Sequence, residues 1–539
     1  MRFMLAVAGV LLGLANVATR AAEPPLIPST PEAELFREVP EPWRAYLVAA
    51  RNAERVADPL ARCLAFPDLP GNEWPKGHTE AHCRHHFEVK RPTLEELEKM
   101  VAGGEMAALE SLFDASLARH FDASAFSDDI HDTFNYLLTN RKHTQRIDHL
   151  TAGWLKQAPS SAYAQLARAA YFNGAAWKAR GSKYAEKTSG HDMRRMSELA
   201  GQAIPYFEKA LGINPRLMPA YTGLIDVAML DSRTALEAST VRLAEEVDAA
   251  CPEVANVRMR TLSPRWGGSY EEMLGYAAQL SRHVPRRPYL AVHLSRPYAD
   301  RANRLVAADE LTRDSLQISE VSLRIGSDEG ALNDAAKIVR PVVGGQLGDI
   351  RRLGYLLQES RFREPDAWAL SVIAGHALTY EAEWSLRYGL RAAAAEPENA
   401  LVHFNIGTAY ESLGRVPEAE RAYLTAQERG LARLQTLRAL ANLHLFDGDW
   451  ADGTRRLDGA RRAKRYLDSL ASEFPDALPT ALLRFYYNAV VNNVFDEDGA
   501  RALLGKLDRT DEWQAVQAEW LEYLLMQFVD AAAKPNAGQ

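Results

Sequence analysis

The stretch ALVHFNIGTAYESLGRVPEAERAYLTAQERG, residues 400–430, decides the fold. Its apolar residues recur at helical spacing on both sides of Leu413-Gly414, which describes two helices joined by a short turn. Counted from Ala400, each small or aromatic residue has a physical task. Gly407 and Ala419 are small where the two helices cross, Gly414 ends the first helix, and Tyr410 and Tyr423 fill the gaps between helices. A helix pair of this size cannot bury its apolar faces alone, so it predicts neighbours of the same kind.

Those neighbours are present. Ile406, Gly407, Tyr410, Gly414, Ala419, Tyr423 and Ala426 stand where the tetratricopeptide repeat has Leu, Gly, Tyr, Gly, Ala, Phe and Ala, so the stretch resembles that repeat. The register recurs downstream as Leu440, Ala441, His444, Gly448, Gly453, Leu457 and Ala460, with Leu431 where the repeat usually has Pro. Upstream, Ala374, Gly375 and Leu378 open another repeat that Pro397 closes. A second-helix pattern stands apart at 203–215, AIPYFEKALGINP, with Ala203, Phe207, Ala210 and Pro215 in place. The expected fold is therefore all-α, with helical hairpins stacked as a tetratricopeptide-like solenoid. The resemblance implies a concave groove lined by the first helices of the repeats, and places His403, Asn405, Glu411 and Asn442 there as candidate contacts for a partner protein or peptide.

At 539 residues the chain is too long for one ordinary domain unless it grows by stacking. Its formal charge of -8 disfavours non-specific nucleic-acid binding. Residues 3–18, FMLAVAGVLLGLANVA, follow Arg2 and precede Thr19-Arg20-Ala21, the pattern of a cleaved export signal. The run is short for a membrane span. Its removal takes away Arg2 and Arg20 and no acid, leaving -10. A periplasmic or secreted protein with no stable membrane insertion is expected.

Export bears on GHTEAHCRHHFE, residues 77–88. In an oxidising compartment Cys63 pairs with Cys83 across the Pro- and Gly-rich loop LAFPDLPGNEWPKG, and Cys251 is a small buried residue at a helix end. The alternative is a metal: on a helix His82 faces His78, His85 and His86, and imidazoles so placed can share one zinc. The stretch matches no established zinc motif. The disulfide is the expectation, with no metal and no cofactor.

Pro92-Thr93 followed by LEELEKMVAGGEMAALESLFDASLARHF forms a capped hairpin, with Thr93 and Glu96 as a capping box and Gly103-Gly104 as the turn. Beyond it, Trp154, PSSA (159–162), WKARG (177–181) and PRWGGS (264–269) together resemble a bacterial family of exported proteins, domain of unknown function 4034, over 92–290. That resemblance implies a helical domain and no assigned chemistry. The chain then divides into a signal peptide (1–21), a Cys-bounded N-terminal segment (22–91), this domain (92–290), a helical connector (291–365), the repeats (366–464) and C-terminal capping helices with a tail (465–539). In the last segment Trp513 and Trp520 are expected to face inward.

Local chemistry has bland readings throughout. Ser269 caps a helix with Glu272 while Trp266 packs between helices, although Gly267-Gly268 beside Arg265 could hold an anion. Trp177 is expected in the core, with Arg180 a candidate for a buried ion pair. SDDIHD, 127–132, is expected as a solvated helix start, and RRAKR, 461–465, as an exposed repeat face. No nucleophile elbow, phosphate loop or zinc-protease motif is present. The expected function is a non-catalytic, exported repeat protein that binds a partner. The alternatives are an envelope immunity protein neutralising a secreted effector, and an envelope hydrolase using 77–88 or 265–269.

Overall fold

A computed structural model describes residues 36–88, 90–122, 128–445, 453–492 and 494–533. The leader 1–21, Gly448 and the last six residues lie outside the described residues, as do the side chains of Leu457 and Trp513. Among the described residues every regular element is helical. No helix there is long and apolar enough to cross a membrane. The chain divides into two compact units, Glu32–Ala369 and Leu370–Gln539.

In the smaller unit the helices pair as the sequence indicates. Ala400–Ser412 and Val416–Glu428 form one hairpin, and Arg433–Leu445 with Gly453–Glu473 the next. A Cβ on Gly407 would stand 2.6 Å from the Tyr423 ring, so glycine is required at that crossing. Gly414 turns the chain with φ +66°, in the left-handed region that favours glycine. Ala419, Tyr423 and Ala460 join one core with Leu440 and Leu483. The capping helices Leu478–Val491, Glu497–Leu504 and Glu512–Ala533 follow. Trp520 corrects the expectation for this segment: it is 44% exposed, beside Tyr523, while Leu521 and Leu525 take the inward face.

The larger unit holds the helices Ala162–Arg180, Gly190–Ile213 and Thr234–Asp248 around Met218–Leu230. Every residue of Met218–Leu230 is buried. Such a helix is apolar all round, so its one acid, Asp226, must be partnered from neighbouring elements. Thr93 and Glu96 make the capping box as read, and Ser269 accepts the Glu272 N–H at 3.2 Å. The disulfide joins Cys63 of Pro59–Ala65 to Cys83 of His78–Phe87, with the bridge buried against Phe362.

The acidic run is the larger correction. Asp128, Asp129 and His131 are buried, not solvated. Asp129 accepts from Arg119 at 2.6 Å and from Ser116, and Asp128 lies 3.0 Å from His120. His120 also reaches Asp248 at 3.1 Å, and Arg287 donates to Asp248 at 2.6 Å. Burial pulls His120 toward neutrality, but its hydrogen bonds to the two aspartates hold its pKa well above the ordinary value. The acids sit inside because Arg119 and His120 of Met106–Phe121 meet them there. Cys251 is buried at the start of Pro252–Thr261, as expected, with Sγ 3.8 Å from His131 Nε2.

Candidate functional site

The two tryptophan motifs converge in the larger unit. A cavity of about 780 Å³ is lined by both, together with residues from Asn135 to Asp334. Trp177 and Trp266 meet edge to face at 5.5 Å. Trp177 is half-buried at this wall, and its indole N–H donates to Asp226 at 2.6 Å. Asn173 donates to the same carboxylate at 3.0 Å, and Arg260 to its other oxygen at 2.5 Å. The need for a partner on Met218–Leu230 is thus met by three donors, and it fixes the indole as cavity wall. Trp177 packs against the core as expected, at its edge, and its indole also lines the cavity.

Arg180 makes no ion pair among the described residues. Its guanidinium donates to the Lys183 carbonyl at 2.5 Å and the Thr188 hydroxyl at 2.9 Å, pinning the loop after its helix. The Trp-Gly-Gly turn is a backbone necessity: a Cβ on Gly268 would stand 2.2 Å from the Leu262 carbonyl oxygen. Arg265 leaves that turn to reach the Ser182 carbonyl at 3.0 Å.

Glu253 is one of four buried acids that line the cavity, with Asp226, Asp328 and Asp334. It accepts from the Tyr136 hydroxyl at 2.7 Å and from Asn256 at 3.3 Å. Burial, then the charge of Asp128, pushes its carboxyl up to about 7. Among these acids, Asp226 held by three donors and Glu253 poised near neutrality stand in unlike environments. An acid in the apolar run AYTGLIDVAML was a visible signal for Asp226. Nothing beside Cys251-Pro252 marked Glu253.

The histidine stretch is a helix, His78–Phe87, with His78, His82 and His85 buried. It brings two of its four histidines together with an acid absent from the sequence expectation. His82 Nε2 lies 3.1 Å from His86 Nε2 and 3.1 Å from Glu329 Oε1, and His86 Nε2 lies 3.0 Å from the same oxygen. His78 turns away, with Nδ1 on the Pro288 carbonyl at 3.0 Å and Nε2 on Ser327 Oγ at 2.7 Å. His82 Nδ1 meets that hydroxyl at 2.7 Å. His85 stacks on Tyr289 at 4.2 Å. Burial lowers His82 to about 3 and His78 to about 4, so both imidazoles are neutral. Burial favours a protonated Glu329, but the hydrogen bond from His86 holds its pKa well below the carboxylate range. The sequence shows Glu329 only as an acid opening a helix.

In the smaller unit the groove candidates lie on first helices. His403 and Asn405 are half-exposed on Ala400–Ser412, and His403 Nε2 bonds the Pro397 carbonyl at 2.8 Å. Glu411 accepts the Tyr423 hydroxyl, and burial raises its pKa. Asn442 is half-buried on Arg433–Leu445.

A family model described as a domain of unknown function, DUF4034, matches residues 93–230, which include Asn173, Trp177 and Asp226. No curated protein matches the chain. Among solved structures, the chain is similar to YrrB, a tetratricopeptide-repeat protein with an unusual peptide-binding site. The identity is 17% over 34% of this chain and 88% of that one, with a TM-score of 0.29. It is similar to the tetratricopeptide-repeat domain of P58(IPK), at 10% identity over 74% of this chain and 98% of that one, with a TM-score of 0.24. It is also similar to the Cut9–Hcn1 hetero-tetramer of APC/C, at 10% identity over 89% of this chain and 83% of that one, with a TM-score of 0.31.

Proposed function

We propose that this chain is an exported binding protein whose repeat unit holds a partner peptide or protein and performs no chemistry on it. The observation that carries the reading is the tandem stacking of helix pairs from Ala367 to Glu473, a construction that presents the first helices of successive pairs side by side. Half-exposed His403, Asn405 and Asn442 supply polar contacts on those helices. Export is supported by the apolar leader and by the Cys63–Cys83 bridge, which persists in an oxidising compartment.

Crosslinking in intact cells, followed by mass spectrometry of what purifies with the chain, tests this. One stoichiometric partner is expected, and it should be lost from a variant with His403, Asn405 and Asn442 replaced by Ala. Glu411 is left intact because Tyr423 uses it. A partner retained by the triple variant, or no partner at all, overturns the reading.

A second reading, a hydrolase, is favoured by the cavity acid Glu253, protonated near neutrality and so able to donate a proton. Turnover of an envelope polymer that disappears in E253Q, with the fold retained, would put it first.

A further inference from the structure

We propose that His82 Nε2, His86 Nε2 and Glu329 Oε1 form a binding site for one zinc-class divalent cation. The three atoms make a nearly equilateral triangle with edges of 3.1, 3.1 and 3.0 Å. Ligands at zinc's bond lengths in tetrahedral geometry stand about 3.3 Å apart. The observed set therefore needs only a few tenths of an ångström of adjustment to accept such an ion.

The hydrogen-bond chain behind the triangle selects the ligating tautomer. The Pro288 carbonyl can only accept, so His78 Nδ1 carries the hydrogen it receives. His78 Nε2 is then an acceptor and takes the Ser327 hydroxyl hydrogen. The Ser327 oxygen in turn accepts from His82 Nδ1–H. That leaves His82 Nε2 with a lone pair directed at the carboxylate of Glu329 and at a second imidazole. Without a cation, three short edges share the single ring hydrogen His86 can offer, and at least one pairs lone pair against lone pair. An ion at the centre satisfies all three edges together.

The surroundings hold the ligands still. His82 stacks on Phe362 at 3.8 Å with planes 9° apart, and its helix is tied by the Cys63–Cys83 bridge. Ser327 orients the buried ring from behind, as partners behind metal-bound histidines do. The side chains of His86 and Glu329 are 24% and 18% exposed, so the fourth position opens to solvent. Two imidazoles and a carboxylate favour zinc, cobalt or nickel over calcium or magnesium, which prefer all-oxygen sites. The other clustered set, His120, His131 and Cys251, lacks this property because both nitrogens of His120 are engaged by aspartates.

The test uses the untagged chain, stripped with chelator and titrated with Zn²⁺ by calorimetry and with Co²⁺ by visible absorption. One equivalent per chain is expected, with cobalt bands of a four-coordinate site. H86A and E329Q, changed at partly exposed positions that leave the buried ring in place, should each weaken binding by more than about 100-fold, and S327A by about 10-fold. H403A should bind as the parent does. No stoichiometric uptake overturns the proposal. So does uptake that survives H86A and E329Q, or uptake removed by C251A instead.

Discussion

In the repeat unit, Gly407 meets Tyr423 across a single turn of the chain; in the larger unit, His82 meets Glu329 across 247 positions. The same kind of helix serves both. The repeat unit is made of local contacts, each repeated at fixed spacing, so its stability is spread over similar hairpins. The larger unit concentrates its polar chemistry in a few long-range meetings: the Asp226 cluster, the His120–Asp248–Arg287 network and the histidine triangle. Loss of one such meeting should cost more than loss of one repeat contact.

Asp248→Asn gives the largest expected effect. Asp248 faces His120 and Arg287, and all three are almost fully buried. Removing the shared anion leaves two buried cations short of charge, a loss of about 4 kcal/mol. Hydrogen exchange followed by mass spectrometry should show lower protection throughout Glu32–Ala369 and unchanged protection in Leu370–Gln539. Equal loss in both units would remove the contrast between them.

Opening the disulfide comes next. Cys63 and Cys83 are 20 positions apart, and releasing a loop of that length costs about 3 kcal/mol in the chain-entropy model. Chemical denaturation of C63A/C83A should move the midpoint of the larger unit and leave the repeats in place.

These contrasts also explain what the sequence disclosed. Gly407, Gly414, Ala419 and Tyr423 were legible because each acts on a partner within the same hairpin, so spacing alone encodes the contact. Cys63 and Cys83 were legible because they bound one loop. The acidic run 127–132 was misjudged because nothing local distinguishes a solvated acid from one awaiting Arg119 and His120. For Trp177 the spacing indicates the core it packs against, but not the buried Asp226 that draws its N–H to a cavity wall. Of the histidine triangle, the sequence offered the i, i+4 pair His82 and His86 among four candidate imidazoles, but not Glu329 or Ser327. Those arrive from a helix start that reads as an ordinary cap.

Gly407→Ala probes the repeat side. The added methyl would press on the Tyr423 ring, whose hydroxyl is held by Glu411 and Thr408 and so resists displacement. Overpacking of this kind costs about 2 kcal/mol. Thermal unfolding should show the loss in the repeat transition alone; a shift in both transitions would mean the two units unfold together.

The smallest effect is a pair of opposite slopes with pH. His293 is buried with neither ring nitrogen hydrogen-bonded among the described residues, and burial, then the charge of Arg296, lowers it to about 3, with Asp128 and Glu329 opposing. Its folded form stays neutral while the unfolded chain binds a proton below pH 6.5. The parent therefore loses about 1.4 kcal/mol per pH unit from this group between pH 6.5 and 3. His293→Phe removes that slope, so its stability relative to the parent should rise as pH falls. Glu253 behaves in the reverse sense: its folded carboxyl is protonated below about 7 while the unfolded one waits until 4.5. The parent gains stability from Glu253 as pH falls through that window, and E253Q should lose ground relative to it at a similar slope. Denaturant midpoints for the parent and both variants at pH 7.5, 6.5 and 5.5 separate the signs. Parallel curves for all three would mean that neither group is held in the buried state described, and that the larger unit's long-range meetings carry less of its stability than its geometry implies.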